Sequence, residues 1–531
     1  MKQKKKLLAA LLVLCVVEAV AVAWLLMNYH VVGFKLYSKD AAAFDLRGKT
    51  VSIRHYEALQ EKMPEATILW DVPLHSHTFA SNARQITVTS LTEGDVETLD
   101  YLQRLETVDG RDCSDYAQLY ALQLRRPEVE VLYDIPVGGQ VFAQDTSRVE
   151  LDSITAGEIE VLQYLPQLET VVFRGGETVE NVAQLQQFCR ESGIGFRIAA
   201  GGIEVPDDAR EVTLGAVTDA ELELLAFLPD MERLHMEAPA ASPEKLTALR
   251  DAYPDADITW EVEIAGETFL STDTEVDLST VVIEDLAAVE AAMAYLTDAE
   301  TLILGLCGID DPTWGNSEAK GIAASKLENE ELAAYRDRVR EDYKVVWTVR
   351  LGPNIALRTD KDNFMPGHFG VGRLFDDHAY NLRYCEDMIC LDLGHMTLRD
   401  VSFLEFMPDL EYLILAHTEV QYIDAIPNCK KLKFLELDWS CVKDLTPLQG
   451  CTALEDLNIG KTWVDITPVL EMTWLKHLYM IFCNGADAWQ CTQTLTETRV
   501  VASGTATVAS GWRRLPNYYA MRDALGMYYM N

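Results

Sequence analysis

Side chains that can hold a ligand recur at a fixed interval between residues 395 and 479. Aromatic, acidic, amide and histidine residues return every 22 positions, or 21 at the last step. They form three columns: Tyr412, Phe434, Asp456 and His477; Ile414, Glu436, Asn458 and Tyr479; and His395, His417, Trp439 and Lys461. Aromatic rings exposed among hydrogen-bonding groups are typical of surfaces that bind peptides, proteins or glycans. The columns therefore predict a ligand-binding surface.

A second group of candidate ligating side chains lies in residues 351–386, which interrupt the repeat pattern and are predicted to be an inserted loop. His368, Asp376, Asp377 and His378 gather nitrogen and carboxylate groups there. Loops on a rigid scaffold often carry function, but a solvated polar loop has the same composition. Two interpretations stay open, a surface metal-dependent hydrolase that uses this loop and a loop without chemistry.

Motifs of the common enzyme classes are absent from the sequence. It contains no HExxH, GxSxG, GxGxxG or phosphate-binding P-loop pattern, which closes the motif-based routes to a hydrolase, a dehydrogenase or a nucleotidase. We therefore predict a non-catalytic protein with no cofactor and no bound metal. The hydrolase is kept as an alternative.

A short leucine repeat positions the three columns. Leucines recur every 22 residues and once after 21, at Leu391, Leu413, Leu435, Leu457 and Leu478. Residues 410–415 have the pattern LxxLxL, which indicates one short strand in each coil of a solenoid. Because side chains alternate along a strand, Leu413 and Leu415 point to the core, while Tyr412 and Ile414 point to the other face. We expect that second face to be concave and solvent-exposed.

The short repeats resemble the leucine-rich repeats of bacterial surface proteins of the internalin kind. The resemblance covers residues 387–483 and implies an α/β fold, a leucine-rich repeat solenoid whose parallel strands form a horseshoe or arc. It also implies binding through the concave sheet. The arrangement of the whole chain resembles uncharacterised leucine-rich repeat proteins of the Gram-positive envelope, a resemblance that implies a topology and no activity.

A longer repeat of about 63 residues occupies residues 31–350. The segments that begin at Leu91, Ile154 and Val217 share one pattern and are each predicted to open a helix. The simplest interpretation is a continuation of the solenoid. Hairpins at Gly138-Gly139 and Ala265-Gly266 would instead make this part a string of small α/β modules. An aromatic series is predicted to be core: Trp70, Tyr133, Phe196, Trp260 and Trp347.

The first thirty residues predict a membrane anchor. Lysines precede the apolar run Leu7–Met27, which as a helix would span about 31 Å, close to the thickness of a bilayer core. Basic residues before the span predict a single-pass protein with a cytoplasmic N-terminus and the bulk of the chain extracytoplasmic. A cleaved signal peptide is the alternative. The net charge of -39 argues against nucleic acid as a partner.

Residues 484–531 are predicted to be a C-terminal capping segment. It ends in a helix with Asn517 as its N-cap and with an apolar stripe of Tyr518, Met521, Leu525 and Tyr528. An exposed solenoid end needs a cover, and docking on a partner is the alternative role. Cysteines at repeat positions are predicted to be buried, with a disulfide between Cys385 and Cys390 as the other possibility.

The sequence therefore predicts a membrane-anchored, extracytoplasmic leucine-rich repeat protein that binds a protein, peptide or glycan through its concave sheet. The two other interpretations are the metal-dependent hydrolase and a passive envelope spacer.

Overall fold

The computed structural model describes residues 2–175, 179, 181–307, 322–352, 355–366 and 374–527. The chain divides into two compact units, Met1–Ile258 and Thr259–Asn531. The division falls inside the strand Asp257–Ile264.

The first unit begins with the helix Lys2–Asn28, whose side chains are almost all exposed. In the described part of the chain it is the one helix long and apolar enough to cross a membrane. At 1.5 Å per residue it is about 40 Å long. A hairpin of Tyr29–Val32 and Lys35–Ser38 follows directly.

The rest of the first unit alternates short strands with short helices. Its helices are Ile53–Lys62, Glu93–Thr98, Tyr116–Arg125, Ala156–Val161, Val182–Ser192, Asp219–Leu224 and Pro243–Ala252. Its strands are Ala43–Asp45, Thr67–Leu69, Asp71–Pro73, Thr78–Ala80, Gln85–Thr87, Thr107–Asp109, Glu130–Leu132, Asp134–Val137, Gln140–Ala143, Arg148–Leu151, Thr170–Phe173, Gly195–Ala200, Ile203–Pro206, Glu211–Leu214 and Arg233–Met236.

Three of these helices start in the same way because the long repeat places a threonine before each of them. The Thr92 hydroxyl accepts a hydrogen bond from the backbone N–H of Asp95, and the Asp95 carboxylate accepts one from the Thr92 N–H. The pairs Thr155 with Glu158 and Thr218 with Glu221 repeat this capping box. Each box satisfies two backbone donors that the first helical turn leaves open. The prediction that these segments open helices is confirmed.

The long repeats form separate small sheets. In residues 148–206, three parallel strands are joined by one antiparallel strand, which is paired to the third through the Gly201-Gly202 turn. Parallel neighbours keep a spacing near that of the short repeats, since Val149 lies opposite Val171. A continuation of the solenoid through residues 31–350 would form one continuous sheet. That expectation is wrong, because a hairpin interrupts the parallel pairing.

The hairpins predicted as the alternative are present. Gly138 and Gly139 both have positive φ and join Asp134–Val137 to Gln140–Ala143. Ala265 and Gly266 also have positive φ, and they join Asp257–Ile264 to Glu267–Leu270. Positive φ at both central residues suits the right-handed twist of a two-residue hairpin. The aromatic series that was predicted to be core is buried in full: Trp70, Tyr133, Phe196, Trp260 and Trp347.

The second unit starts with one more long-repeat module. Its strands are Glu267–Leu270, Glu275–Leu278, Thr301–Leu306, Lys344–Gly352 and Ile355–Arg358, and its helices are Leu286–Met293, Asn329–Val339 and Asp376–Ala379. Residues 351–386, predicted to be an inserted loop, thus contain a strand, a short helix and the first strand of the next sheet.

That next sheet holds seven parallel strands in chain order: Asn363–Phe364, Cys390–Asp392, Tyr412–Ile414, Phe434–Glu436, Asp456–Asn458, His477–Tyr479 and Arg499–Val501. The leucines of the repeat lie directly opposite one another, Leu391 against Leu413 and Leu435 against Leu457, and all are fully buried. The sheet extends beyond residues 387–483 at both ends. Helix Gly485–Thr494 precedes the last strand.

Between Cys390–Asp392 and His477–Tyr479 the strands are connected by tight turns and 3-10 helices. Asp400, Asp444 and Asp465 each accept a hydrogen bond from the backbone N–H two residues ahead. The hydroxyls of Thr418 and Thr462 donate to the carbonyl three residues back. Such local bonds satisfy turn groups that the short strands cannot pair.

The cysteines follow the burial expectation. Cys385, Cys390, Cys429 and Cys451 are buried as free thiols, so the alternative disulfide between Cys385 and Cys390 is not formed. Cys441 is free and exposed.

Replacing Leu435 by alanine should lower the free energy of unfolding by about 2–5 kcal/mol, because it removes buried methyl groups between two neighbouring coils and leaves a cavity. Chemical denaturation followed by tryptophan fluorescence measures the change. Leu270→Ala, at a position 39% exposed, is the matched control. It should lower the free energy of unfolding by about 0.5 kcal/mol or less. Equal effects of the two changes would contradict the assigned core.

Candidate functional site

The seven-stranded sheet has one face that carries the predicted binding columns, and we call it the Tyr412 face. It is not solvent-exposed. Seven of the ten predicted site residues are buried: Tyr412, Ile414, Phe434, Glu436, Asp456, Asn458 and Tyr479. His417 and His477 are half-buried, and Trp439 is 57% exposed. The expectation of an open face is wrong because the C-terminal part of the chain lies on it.

This covering part is residues 506–527, which we call the docked segment. It returns over the sheet after the last strand, through Gly504 and Gly511, both with positive φ. A Cβ built on Gly504 would stand against the Ser510 side chain, so the return requires glycine there. A 3-10 turn, Trp512–Arg514, leads into the helix Pro516–Ala524. Proline suits the first helical position because its missing N–H has no helical partner there.

Trp512 anchors the docked segment. Its side chain is fully buried, stacked on Phe434 with ring centroids 4.5 Å apart and edge-on to Tyr479 at 5.1 Å. Its indole N–H donates to Glu436 Oε2 at 2.8 Å. A large ring with its one polar atom satisfied is the kind of anchor that dominates binding energy at interfaces.

The helix of the docked segment adds an apolar stripe and a polar clamp. Tyr518 and Met521 are buried against the sheet, as their predicted shared stripe requires, and Leu525 packs beside them. The remaining predicted stripe residue, Tyr528, lies outside the described residues. Asn517 is not the N-cap: that position is Leu515. The Asn517 amide instead donates to Asp456 Oδ2 at 3.0 Å and to Glu455 Oε2 at 3.1 Å.

The docked segment covers the face of the sheet, which differs from the predicted role of capping the end of the repeat. Further polar contacts tie its first residues down. The Thr507 hydroxyl donates to Asp438 Oδ1 at 3.0 Å, and the Tyr479 hydroxyl donates to the Ser510 carbonyl at 3.4 Å.

Acidic groups of the sheet and basic groups of the docked segment line the same cavity. The sheet side contributes Asp392, Glu436 and Asp438, and the segment contributes Arg513 and Arg522. Burial raises the pKa of the Glu436 carboxyl to about 7, against the opposing effects of the Trp512 hydrogen bond and the Arg513 charge. Burial also raises the pKa of Asp456, although His477 Nδ1 lies 2.7 Å from its Oδ1.

A stacked column runs beside the docked segment, and we call it the rim column: His395, His417, Trp439, Lys461 and Phe482. The two histidine rings stack at 4.4 Å, His417 meets Trp439 at 4.9 Å, and Lys461 Nζ lies 4.6 Å from the Trp439 ring centre. All five residues have positive φ. Large non-glycine side chains in this region store backbone strain, a pattern found at functional sites.

A cavity of about 910 Å³ lies between the rim column and the docked segment. Its sheet side includes His395, His417 and Lys461, and its opposite side includes Arg513 and Met521. The docked segment therefore does not fill the groove that it occupies.

The metal alternative finds no ligand set in the part of the chain that the structure describes. No group of three or more histidine, cysteine or acidic side chains is placed to hold an ion there. Asp376 Oδ1 accepts the backbone N–H groups of Arg399 and Asp400, which makes it a turn acceptor. His378 is in the helix Asp376–Ala379, and His368 lies outside the described residues.

Sequence reasoning missed the partners of the columns: Asp438, Glu455, Thr507 and Trp512. One signal was available, because Cys390, Tyr412 and Phe434 make one column too apolar for a solvated face. A second was the tail sequence Trp512-Arg-Arg, which is basic and aromatic in a strongly acidic chain.

The geometry defines the class: a leucine-rich repeat fold with one short parallel strand per 22-residue coil and leucines in register across the coils. No family model and no curated protein matches the chain.

Several solved structures match the chain at low similarity. An internalin from Listeria monocytogenes is 12% identical over 81% of this chain and 91% of its own, with a TM-score of 0.25. Internalin C2 from the same species is 16% identical over 34% and 87%, with a TM-score of 0.22. A leucine-rich repeat protein of Leptospira interrogans is 12% identical over 78% and 93%, with a TM-score of 0.25. The class rests on the internal geometry alone.

Docking of the segment should strengthen as the pH falls from 7.5 to 5.5. The groups around Glu436 are Trp512 and Arg513 on the segment and Asn458, Asp392 and Asp438 on the sheet. Because its pKa is raised to about 7 in the docked state, docking gains from proton uptake below pH 7 and loses that gain as the pH rises through 7. Asp456 acts in the same direction, and His417, whose pKa burial lowers, acts in the opposite direction.

Hydrogen exchange of the amides of residues 512–524, corrected for the intrinsic rate at each pH, measures this effect. We expect the opening equilibrium constant to fall about tenfold over the two pH units. Glu436→Gln keeps the side-chain volume and should remove most of the change. The same pH dependence in that variant would contradict the role of Glu436.

Proposed function

We propose that this chain is a membrane-anchored, extracytoplasmic recognition scaffold that binds a polypeptide through the Tyr412 face without catalysis. One observation carries the proposal: the face already binds a polypeptide, the docked segment of its own chain. Of the ligands that the columns suit, a polypeptide is therefore favoured over a glycan. A passive spacer does not need a groove of this kind.

The contacts in the groove have the composition of a recognition site. An indole and a phenol from the docked segment meet Phe434, and polar atoms of Glu436 and Asp456 are used for direct hydrogen bonds. Aromatic anchors in a desolvated centre surrounded by polar contacts are typical of protein interfaces. Nothing in these contacts requires bond making or breaking.

The membrane part of the proposal is supported by the first helix. Its exposed apolar residues Leu7–Met27 need a non-aqueous environment, and lysines precede them. A retained span would leave the N-terminus in the cytoplasm and everything after Asn28 outside. A cleaved signal sequence would also export the protein.

The exposed thiol of Cys441 provides a native reporter of location. A membrane-impermeant maleimide should label it in intact cells that produce the full chain, because the proposal places this residue outside. Cys441→Ser should abolish most of that labelling, since the other described cysteines after the first helix are buried or half-buried. Labelling that appears only after the cells are lysed would contradict an extracytoplasmic location.

Binding can be measured with a labelled peptide of residues 506–527 and the full chain held in lipid nanodiscs. The chain carries Trp512→Ala so that its own segment is weakly docked. Adding Phe434→Ala should weaken peptide binding at least tenfold in fluorescence anisotropy, because an aromatic anchor at an interface is worth about 2 kcal/mol or more.

Two further variants make this test specific. Phe406→Ala changes a phenylalanine that is 41% exposed and should leave peptide binding unchanged. Glu436→Lys reverses a charge without opening a cavity and should weaken binding as Phe434→Ala does. If the peptide binds all four chains equally, the Tyr412 face is not the binding site.

A further inference from the structure

We infer that the docked segment is a built-in competitor of an external partner, and that the partner presents a cationic helix with an aromatic residue in the turn just before it. This inference rests on the proposed function and adds the chemistry of the partner and the state in which the face is free. The occupant it commits to is a segment of a different protein.

The way the segment is held allows it to leave. Each hydrogen bond that the structure gives between the docked segment and the strands uses at least one side chain, as with Trp512, Thr507 and Asn517. Within the described residues, the segment adds no strand to the sheet, and the seven strands pair with one another. Because no strand pairing is lost, the segment can undock while the sheet stays intact.

Charge defines what else can occupy the groove. The chain has a net charge of -39, yet the docked segment carries Arg513, Arg514 and Arg522. The surface that it covers contains Asp392, Glu436, Asp438, Glu455 and Asp456. When the segment leaves, these acids face water together, and complementary charge selects and steers the incoming chain. An acidic helix would place like charge against these carboxylates, where the docked segment places Arg513 near Glu436.

The aromatic requirement follows from the pocket of Trp512. The indole ring fills the space between Phe434 and Tyr479, and its N–H satisfies Glu436. An aliphatic side chain in this place would leave the buried Glu436 oxygen without that donor, which is unfavourable because a buried polar group that loses its partner is not rehydrated. Tryptophan in the turn just before the helix is therefore the residue that the groove fits best.

The fit of the docked segment is incomplete, which leaves room for a better occupant. The cavity of about 910 Å³ lies beside it, and Trp439 and Phe482 of the rim column are 57% and 52% exposed. A partner helix that also covered the rim column would bury apolar surface that the segment leaves in water.

Covalent linkage explains why an imperfect occupant holds the groove. A tethered segment competes at an effective concentration on the order of millimolar, so a free peptide has to overcome it. The apparent affinity for a partner equals the intrinsic affinity multiplied by the fraction of chains in which the face is open. The segment thus sets a threshold that only a well-matched partner passes.

The test compares binding of the labelled 506–527 peptide to full chains in nanodiscs that differ only in their own segment. Trp512→Ala should bind the peptide at least tenfold more tightly than the unchanged chain. Tyr519→Ala is the matched control, because Tyr519 lies on the same helix but is 51% exposed, and it should bind like the unchanged chain. The double variant Arg513→Glu, Arg514→Glu is a second way to weaken docking. It reverses the charge of the segment and keeps the Trp512 side chain.

Peptide variants test the chemistry of the partner on the Trp512→Ala chain. A peptide with Arg513, Arg514 and Arg522 changed to Glu should bind at least tenfold more weakly, and so should one with Trp512 changed to Ala. Equal binding of these peptides would overturn the assignment of a cationic, aromatic partner.

The remaining outcomes separate the two proposals. Equal peptide affinity for the unchanged and Trp512→Ala chains, still sensitive to Phe434→Ala, would overturn competition and keep the proposed function. Peptide binding to none of the chains would overturn the proposed function itself. If sedimentation shows that the double variant pairs with unchanged chains by exchanging segments, the occupant is a second copy, and the assignment of a different protein is overturned.

Discussion

The register of leucines across the short repeats is the constraint on which the rest of the second unit depends. A strand of three residues makes too few hydrogen bonds to hold its place alone, so each coil is fixed by the apolar side chains that it stacks on the next coil. Leu413, Leu435 and Leu457 lie opposite one another for this reason. A coil that slipped by one residue would send its leucine to the opposite face. The same register brings Tyr412, Phe434 and Asp456 into one column.

The columns are placed by the repeat, but their burial comes from a distant part of the sequence. Trp512 meets Phe434 across 78 positions of the chain, and the Thr507 hydroxyl reaches Asp438 across 69. The face therefore combines two properties that usually conflict: acidic groups that need water or partners, and aromatic rings that need to leave water. The docked segment satisfies both at once, because Trp512 and Asn517 donate to Glu436 and Asp456 and the Trp512 ring packs on Phe434.

Much of the fold follows from local pattern in the sequence. The 22-residue leucine spacing predicts the strand register, and threonine before an acidic residue predicts the capped helices at Thr92, Thr155 and Thr218, because both depend on neighbours close in sequence or on an exact repeat. The predicted exposure of Tyr412 and Phe434 was wrong for the opposite reason. Covering of a face depends on where a long C-terminal segment returns, and periodicity holds no record of that return.

The long repeats posed a different difficulty. Both a continuous sheet and separate modules fit a strand spacing near 22 residues, and the deciding residues were the turns at Gly138-Gly139 and Ala265-Gly266. A glycine pair predicts a hairpin locally, but only the paired strands show that the hairpin interrupts the parallel pairing.

The antiparallel strand that ends a long-repeat sheet has an evolutionary consequence. Because the four strands of residues 148–206 pair with one another, their pairing does not depend on the register of the sheets before or after them. A gene segment that encodes one such block can be duplicated or lost without disturbing the pairing of the others. The short-repeat sheet lacks this freedom, since removing part of one coil would misalign every strand beyond it. Relatives of this chain should accordingly vary in length by whole blocks in the long-repeat part of the sequence and stay constant in the coils that carry the groove.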